Sequence, residues 1–210
     1  MAELSVIITI SDRYDELRKV YLQYTKALAT TRYACEFIFV LDGVNHEAFE
    51  TLKLLKSEFP AIRVTMLNRC VGEATALAIG FDLAQGEIIL TLAPYLEVQS
   101  SEINAVLKKL TQGENDLVIS WRRPRTDSKL NRIQSWGFHR LTRMLTGMSY
   151  HDMSCGLRAM KRGVGDEVRL YGDLHRFLPL LAYQRGFKVE EVPVRQSPTD
   201  LKRRIYRPGV

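Results

Sequence analysis

The sequence predicts an α/β fold, a mostly parallel sheet flanked by helices, formed as a single domain over residues 1–210. Three observations carry this reading. Short runs rich in Val, Ile, Leu and Phe recur along the first 120 residues, and stretches with helical apolar spacing lie between them. The run after Gly86 is apolar rather than alternating, as expected of a strand covered on both faces. Asp42-Gly43, Pro60, Gly86 and Gln112-Gly113 punctuate them with turn and stop signals. Strands alternating with helices at this pace build βαβ units.

Taken in order, Leu4-Ser5-Val6-Ile7-Ile8-Thr9-Ile10 is the first buried strand. Ser11-Asp12 are placed to cap the helix behind it, in which Leu17, Val20, Tyr21, Tyr24 and Leu28 recur at helical spacing. Glu36-Phe37-Ile38-Phe39-Val40-Leu41 is the second strand. A helix over 46–59 ends at Pro60. Arg63-Val64-Thr65-Met66-Leu67 is the third strand, and a helix over 73–85 stops at Gly86. The run Ile88-Ile89-Leu90-Thr91-Leu92 is the fourth strand and ends before Pro94, which has no N–H for a ladder. Ser100-Ser101-Glu102 opens a helix to Leu110, and Asp116-Leu117-Val118-Ile119-Ser120 is a further strand. Ligands of open α/β sheets sit outside the carboxyl ends of the strands, so the site is expected around residues 93–97.

Composition sets the remaining bounds. Hydrophobic residues make up 46% and charged residues 26%, ordinary for a globular chain. Cys35, Cys70 and Cys155 lack metal-site spacing and read as reduced thiols of a cytoplasmic protein. Ala2-Glu3 leads straight into a strand, so no leader is expected, and no apolar run approaches the roughly 20 residues of a membrane span. Charge is uneven: residues 1–115 carry 11 Lys/Arg against 15 Asp/Glu, residues 116–210 carry 19 against 9. A basic second half suggests an anionic partner: phosphate, nucleic acid or acidic lipid.

From Trp121 the character changes. Trp121-Arg122-Arg123-Pro124-Arg125 reads as a basic loop, and 128–146 as a helix. Lys129, Arg132, Trp136, Arg140 and Arg143 fall in one arc of about 80° beside an apolar stripe. Such a helix either packs on a core with a solvated cationic back or lies at a membrane interface. Residues 150–158 form a polar loop entering a strand, and 166–186 looks helical. His175-Arg176 reads as an anion-binding pair or as a packed, hydrogen-bonded one. Phe187 to Val194 alternates like an edge strand, and the tail from Leu201 is basic.

Several blocks resemble family 2 glycosyltransferases of the GT-A fold, in the polyprenyl-phosphate branch that includes dolichyl-phosphate mannose synthases. They are Gly86-Glu87-Ile88-Ile89-Leu90-Thr91, Ser120-Trp121-Arg122, His151-Asp152-Met153-Ser154-Cys155-Gly156-Leu157-Arg158 and Leu170-Tyr171-Gly172-Asp173-Leu174-His175-Arg176-Phe177, followed by Glu191-Val192-Pro193-Val194-Arg195. The resemblance implies a nucleotide-binding half (1–120) and an acceptor half (121–210), and transfer of a sugar from a nucleotide sugar to a lipid phosphate. It assigns Thr9, Ser11, Asp42, Arg69, Gly72 and Tyr95 to the donor, Arg122, Arg123 and Arg125 to the acceptor phosphate, and Asp152, Arg158, His175 and Arg176 to catalysis. It also implies a protein peripheral to the cytoplasmic face of an anionic membrane, without nucleic acid, alone, as a homo-oligomer or beside an active homologue.

The departures cluster at the donor end. The family's Pro-Val-Tyr-Asn-Glu is Thr9-Ile10-Ser11-Asp12-Arg13, its Asp-Asp-Gly is Leu41-Asp42-Gly43, and its Arg-Asn-x-Gly-Lys is Arg69-Cys70-Val71-Gly72-Glu73. Its Asp-Ala-Asp-Leu-Gln is Ala93-Pro94-Tyr95-Leu96-Glu97, so the acids that would hold Mg or Mn are missing and Glu97 at most remains. Two readings follow: a glycosyltransferase with an altered or metal-independent donor site, in which Tyr95 stacks on a base or plugs the vacated metal site, and an inactive relative that binds lipid phosphate or a partner subunit.

Overall fold

The computed structural model describes residues 2–123 and 150–200. Its element order is β1 (Leu4–Ile10), α1 (Leu17–Leu28), β2 (Cys35–Leu41), α2 (His46–Glu58), β3 (Ile62–Met66), α3 (Glu73–Leu83), β4 (Ile88–Leu92), α4 (Ile103–Gln112), β5 (Leu117–Arg122), β6 (Arg158–Lys161), α5 (Arg162–Glu167), α6 (Leu178–Gln184) and β7 (Val189–Val194), with 3₁₀ turns at Ser100–Glu102 and Leu174–Phe177.

The strands form one seven-stranded sheet in the order β3-β2-β1-β4-β6-β5-β7. β1, β2, β3 and β4 are parallel neighbours, as the alternation of strands with helices predicts. β6 lies antiparallel between β4 and β5, and β7 runs parallel to β5 at the edge. Edge position suits Pro193, whose missing N–H leaves no ladder bond broken inside the sheet.

Side chains alternate across the strands and split the core into two layers. Leu4, Val6, Ile8 and Ile10 pack with α1, α2 and α4 on one face. Ile7, Ile38, Val40, Ile89, Leu117 and Ile119 pack with α3, α5 and α6 on the other. All five periodic residues predicted for the first helix are buried. α3 approaches β1 closely enough that a Cβ on Gly80 would meet Ile7 Cγ2 at 2.5 Å.

Three local expectations are corrected. The first helix starts at Leu17 after Glu16, with no side-chain cap, so Ser11 and Asp12 stay in the loop. Residues 166–186 are not one helix: α5 ends at Glu167, Gly172 takes φ 56°, and a new helix starts at Leu178 with Pro179 in its first turn. Trp121 and Arg122 end β5 rather than belonging to a loop. The expected helix over 128–146, Arg125 and the basic tail lie outside the described residues.

Candidate functional site

The chain runs outward from β1 to β2 and β3, then crosses back through α3 to place β4 on the other side of β1. Ligands of open α/β sheets bind where the strand order reverses in this way, outside the carboxyl ends of β1 and β4. Arg13 follows β1, Asp42 follows β2, Arg69 and Gly72 follow β3, and Tyr95 follows β4. Thr9 is half-buried within β1, and Ser11 and Arg69 are exposed.

Asp42 shapes one wall. Its carboxylate accepts from the Val71 N–H at 2.7 Å and the Gly72 N–H at 3.1 Å, which fixes the turn into α3. Gly43 has φ 101°, and a Cβ there would meet Cys70 Sγ at 2.5 Å, so only glycine fits.

The floor is the turn Ala93-Pro94-Tyr95. The hydroxyl of buried Tyr24 reaches the carbonyls of Ala93 at 3.0 Å and Tyr95 at 2.8 Å from beneath. The Asp15 N–H donates to the Pro94 carbonyl. Above, the Arg13 guanidinium lies 3.7 Å from the centre of the Tyr95 ring, a cation–π contact, and Nη2 bonds Asp200 Oδ1 at 2.6 Å. Gln196 donates to the other oxygen of Asp200.

These residues do not fit a divalent ion. Ala93 and Pro94 bring no side-chain ligand, and Tyr95 lies under a guanidinium. Glu97, the remaining acid, is buried; it accepts from Arg122 Nη1 at 2.9 Å and from the Gly156 N–H at 2.7 Å. Among the described residues no group of three His, Cys, Asp or Glu is disposed to hold a metal.

Arg122 and Asp152 point inward rather than toward a ligand. Arg122 lies in the alternation Val118, Ser120, Arg122, whose members share one side of β5. Its side chain is 1% exposed and meets Asp152 in a forked pair, Glu97, and Ser154 Oγ at 2.9 Å. Burial opposes the charge, but the two carboxylates outweigh it and hold Arg122 protonated above its ordinary range. Cys155 lies beside them, 3.0 Å from Ser120 Oγ, and burial followed by the neighbouring carboxylates pushes its thiol far up, so it is inert.

Arg158 and His175 come together under the site. Arg158 is buried and donates to the carbonyls of His175 at 2.8 Å and Met153 at 2.9 Å. His175 Nε2 lies 3.3 Å from Glu73 Oε2, while Nδ1 is buried without a partner among the described residues. Burial lowers the pKa of His175, and the Arg158 and Arg176 charges add to this against Glu73. Arg176 is exposed on the 3₁₀ turn.

Near β5, exposed Arg123 lies 5.7 Å from the Trp121 ring, which stacks on His151 at 4.6 Å. His151 Nδ1 in turn meets Glu191 at 2.8 Å. Sequence reasoning missed Arg13, Asp200, Tyr24 and Glu73 as site residues. Two had left a trace: Arg13 and Glu73 each reverse a charge of the resembled motifs.

Comparisons with known proteins agree with this architecture. A dodecaprenyl-phosphate galacturonate synthase from Rhizobium johnstonii is 29% identical over 179 residues, 84% of this chain and 53% of the relative. An undecaprenyl-phosphate 4-deoxy-4-formamido-L-arabinose transferase from Klebsiella pneumoniae is 28% identical over 193 residues, 91% of this chain and 59% of the relative. The chain thus spans only a little over half the length of these curated relatives. Among solved structures, glucosyl-3-phosphoglycerate synthase from Mycobacterium tuberculosis bound to Mn2+, UDP-glucose and phosphoglyceric acid aligns with TM-score 0.68, 16% identity, 95% of this chain and 74% of that one. A mannosyltransferase from Pyrobaculum calidifontis bound to GDP-Man and Mn2+ aligns with TM-score 0.63, 16% identity, 91% of this chain and 55% of that one. At such identity the likeness is one of fold, the GT-A glycosyltransferase fold. The family model for glycosyl transferase family 2 matches residues 5–169, and the chain belongs to that family.

Proposed function

We propose that the protein transfers a sugar from a nucleotide sugar to a polyprenyl phosphate. The observation that carries this reading is the match, over 84% and 91% of the chain, to relatives that act as polyprenyl-phosphate sugar transferases. The site is chemically suited to it. A phosphate monoester is largely ionised at neutral pH and needs no general base. Its oxygen bonds to the anomeric carbon as the bond to the donor diphosphate breaks, and the electron pair leaves on the diphosphate. What the protein must provide is positive charge at both ends.

On this reading the donor lies in the crevice above β1, β2 and β3, against Thr9, Ser11, Asp42, Arg69, Gly72 and Tyr95. Arg123, Arg125 and Arg176 meet the acceptor phosphate, and the buried Arg158 supplies positive charge beneath the site, with the neutral His175 held against it. Arg122 and Asp152 position the strand ends instead of touching substrate. The excess of Lys and Arg after residue 116 supports attachment to an anionic membrane surface that weakens with salt. Among the described residues no helix is long and apolar enough to cross a membrane.

A second reading, binding of lipid phosphate without turnover, is favoured by one observation: the missing metal ligands. The test is release of nucleoside diphosphate from a panel of nucleotide sugars in the presence of undecaprenyl phosphate. Product with a lipid-linked sugar supports transfer. Lipid-phosphate binding without product supports the second reading, and failure of both binding and turnover rejects the two together.

A further inference from the structure

The crevice that lacks metal ligands already holds a cation. Arg13 is set at the carboxyl end of β1, with its guanidinium face 3.7 Å above Tyr95, the residue at the position of the second missing acid. Three features show a positioned group rather than a loose surface arginine. Its side chain is only 26% exposed. The loop that carries it is tied to the floor, since the Asp15 N–H donates to the Pro94 carbonyl at 3.0 Å. Its donors are also incompletely used: Nη2 meets Asp200 at 2.6 Å, while Nε is buried without a partner among the described residues.

We infer that Arg13 is the fixed cation for the donor diphosphate in place of a divalent ion, and that Asp200 is its internal counter-ion until the diphosphate arrives. The inference rests on the proposed transferase reading and names the group that makes its donor site metal-independent. A guanidinium presents two parallel N–H donors to a phosphate, so it can neutralise a diphosphate oxygen and fix its orientation together. Tyr95 supports this role. An Asp there would pair with the guanidinium and cancel its charge, whereas an aromatic face holds the cation without neutralising it.

Asp200 makes the site competitive. Its side chain is 6% exposed and held by Arg13 and Gln196. A diphosphate that takes Arg13 must displace Asp200, so donor binding loosens the segment after β7 from the crevice. Removing the Asp200 charge therefore strengthens anion binding, whereas a merely structural salt bridge would be weakened by that change with no gain in affinity.

The test is calorimetric titration of the whole chain with UDP, GDP and inorganic pyrophosphate, each in EDTA and again with Mn2+. The expected result is binding that EDTA does not weaken. R13Q should lose about 10- to 100-fold in affinity, the range for a charge-assisted hydrogen bond. D200N should bind tighter than the unaltered chain, and this variant keeps the inference falsifiable if R13Q folds poorly. Binding that requires Mn2+ and ignores R13Q overturns the inference and leaves the transferase reading standing. Weaker binding in D200N also overturns it. No binding of any probe, with or without Mn2+, overturns the transferase reading along with it.

Discussion

Nε and Nη2 of Arg122 meet the two oxygens of Asp152 at 2.6 and 3.1 Å, and both side chains are 1% exposed. Glu97 completes the arrangement from the turn after β4. The pair joins three chain segments that converge at the strand ends: the end of β5, the loop before β6 and the β4 turn. R122A would leave two carboxylates buried without their counter-ion. Breaking such a pair costs about 3–5 kcal/mol, so chemical denaturation should show R122A as severely destabilised. An R122A variant of unchanged stability that binds lipid phosphate poorly would instead return Arg122 to an outward, ligand-binding role.

Once β5 is known to run to Arg122, the pleat puts Arg122 on the face of Val118 and Ser120, but its burial was not legible, because Glu97 and Asp152 reach it from other chain segments. The parallel strands β1 to β4 were legible because short apolar or β-branched runs alternate with helical stretches, the pattern of βαβ units. The four-residue β6, antiparallel between β4 and β5, was not: Arg158-Ala159-Met160-Lys161 is too short to show a period. Residues 166–186 misled for a related reason. Their apolar density is that of a helix, while Gly172 and Pro179 divide it. The strand ends named where to look for a site, but Arg13 over Tyr95 depends on how two loops fold toward each other.

Gly43 and Cys70 are expected to be coupled. G43A forces a Cβ to within 2.5 Å of Cys70 Sγ and also places a side chain on a backbone with φ 101°. The second cost persists whatever lies opposite, and backbone strain of this kind is on the order of 1–3 kcal/mol. G43A should therefore be destabilised, with C70G added to it restoring part of the loss and never all. Full restoration in the double variant would mean that the clash alone excludes a side chain. Strict additivity would mean that the two residues do not touch.

Tyr24 tests the support of the donor floor. Y24F keeps the ring that packs in the core and removes only the hydroxyl that reaches the Ala93 and Tyr95 carbonyls. Leaving a buried acceptor unsatisfied costs about 1–3 kcal/mol. Loss of stability of that size, with weaker nucleoside diphosphate binding, is expected if the turn positions Tyr95 beneath Arg13. Loss of stability with unchanged binding would show that the turn does not depend on this contact for its shape.

His175 gives the fold a pH dependence whose sign follows from its surroundings. Burial, with help from Arg158 and Arg176, pulls its pKa below the ordinary value, so the folded chain holds it neutral. The unfolded chain binds the proton near pH 6.5. Between that value and the lower folded one the unfolded state carries more protons, so stability rises with pH. The contribution is therefore complete above about pH 6.5 and declines as the pH falls through the folded pKa. H175Q should flatten this part of the profile in denaturation curves. E73Q removes the main group that favours the proton, so an NMR titration should find His175 displaced further downward in that variant. A His175 that titrates higher in E73Q would show that Glu73 does not stabilise its charged form, and that the 3.3 Å approach at Nε2 is only a packing contact.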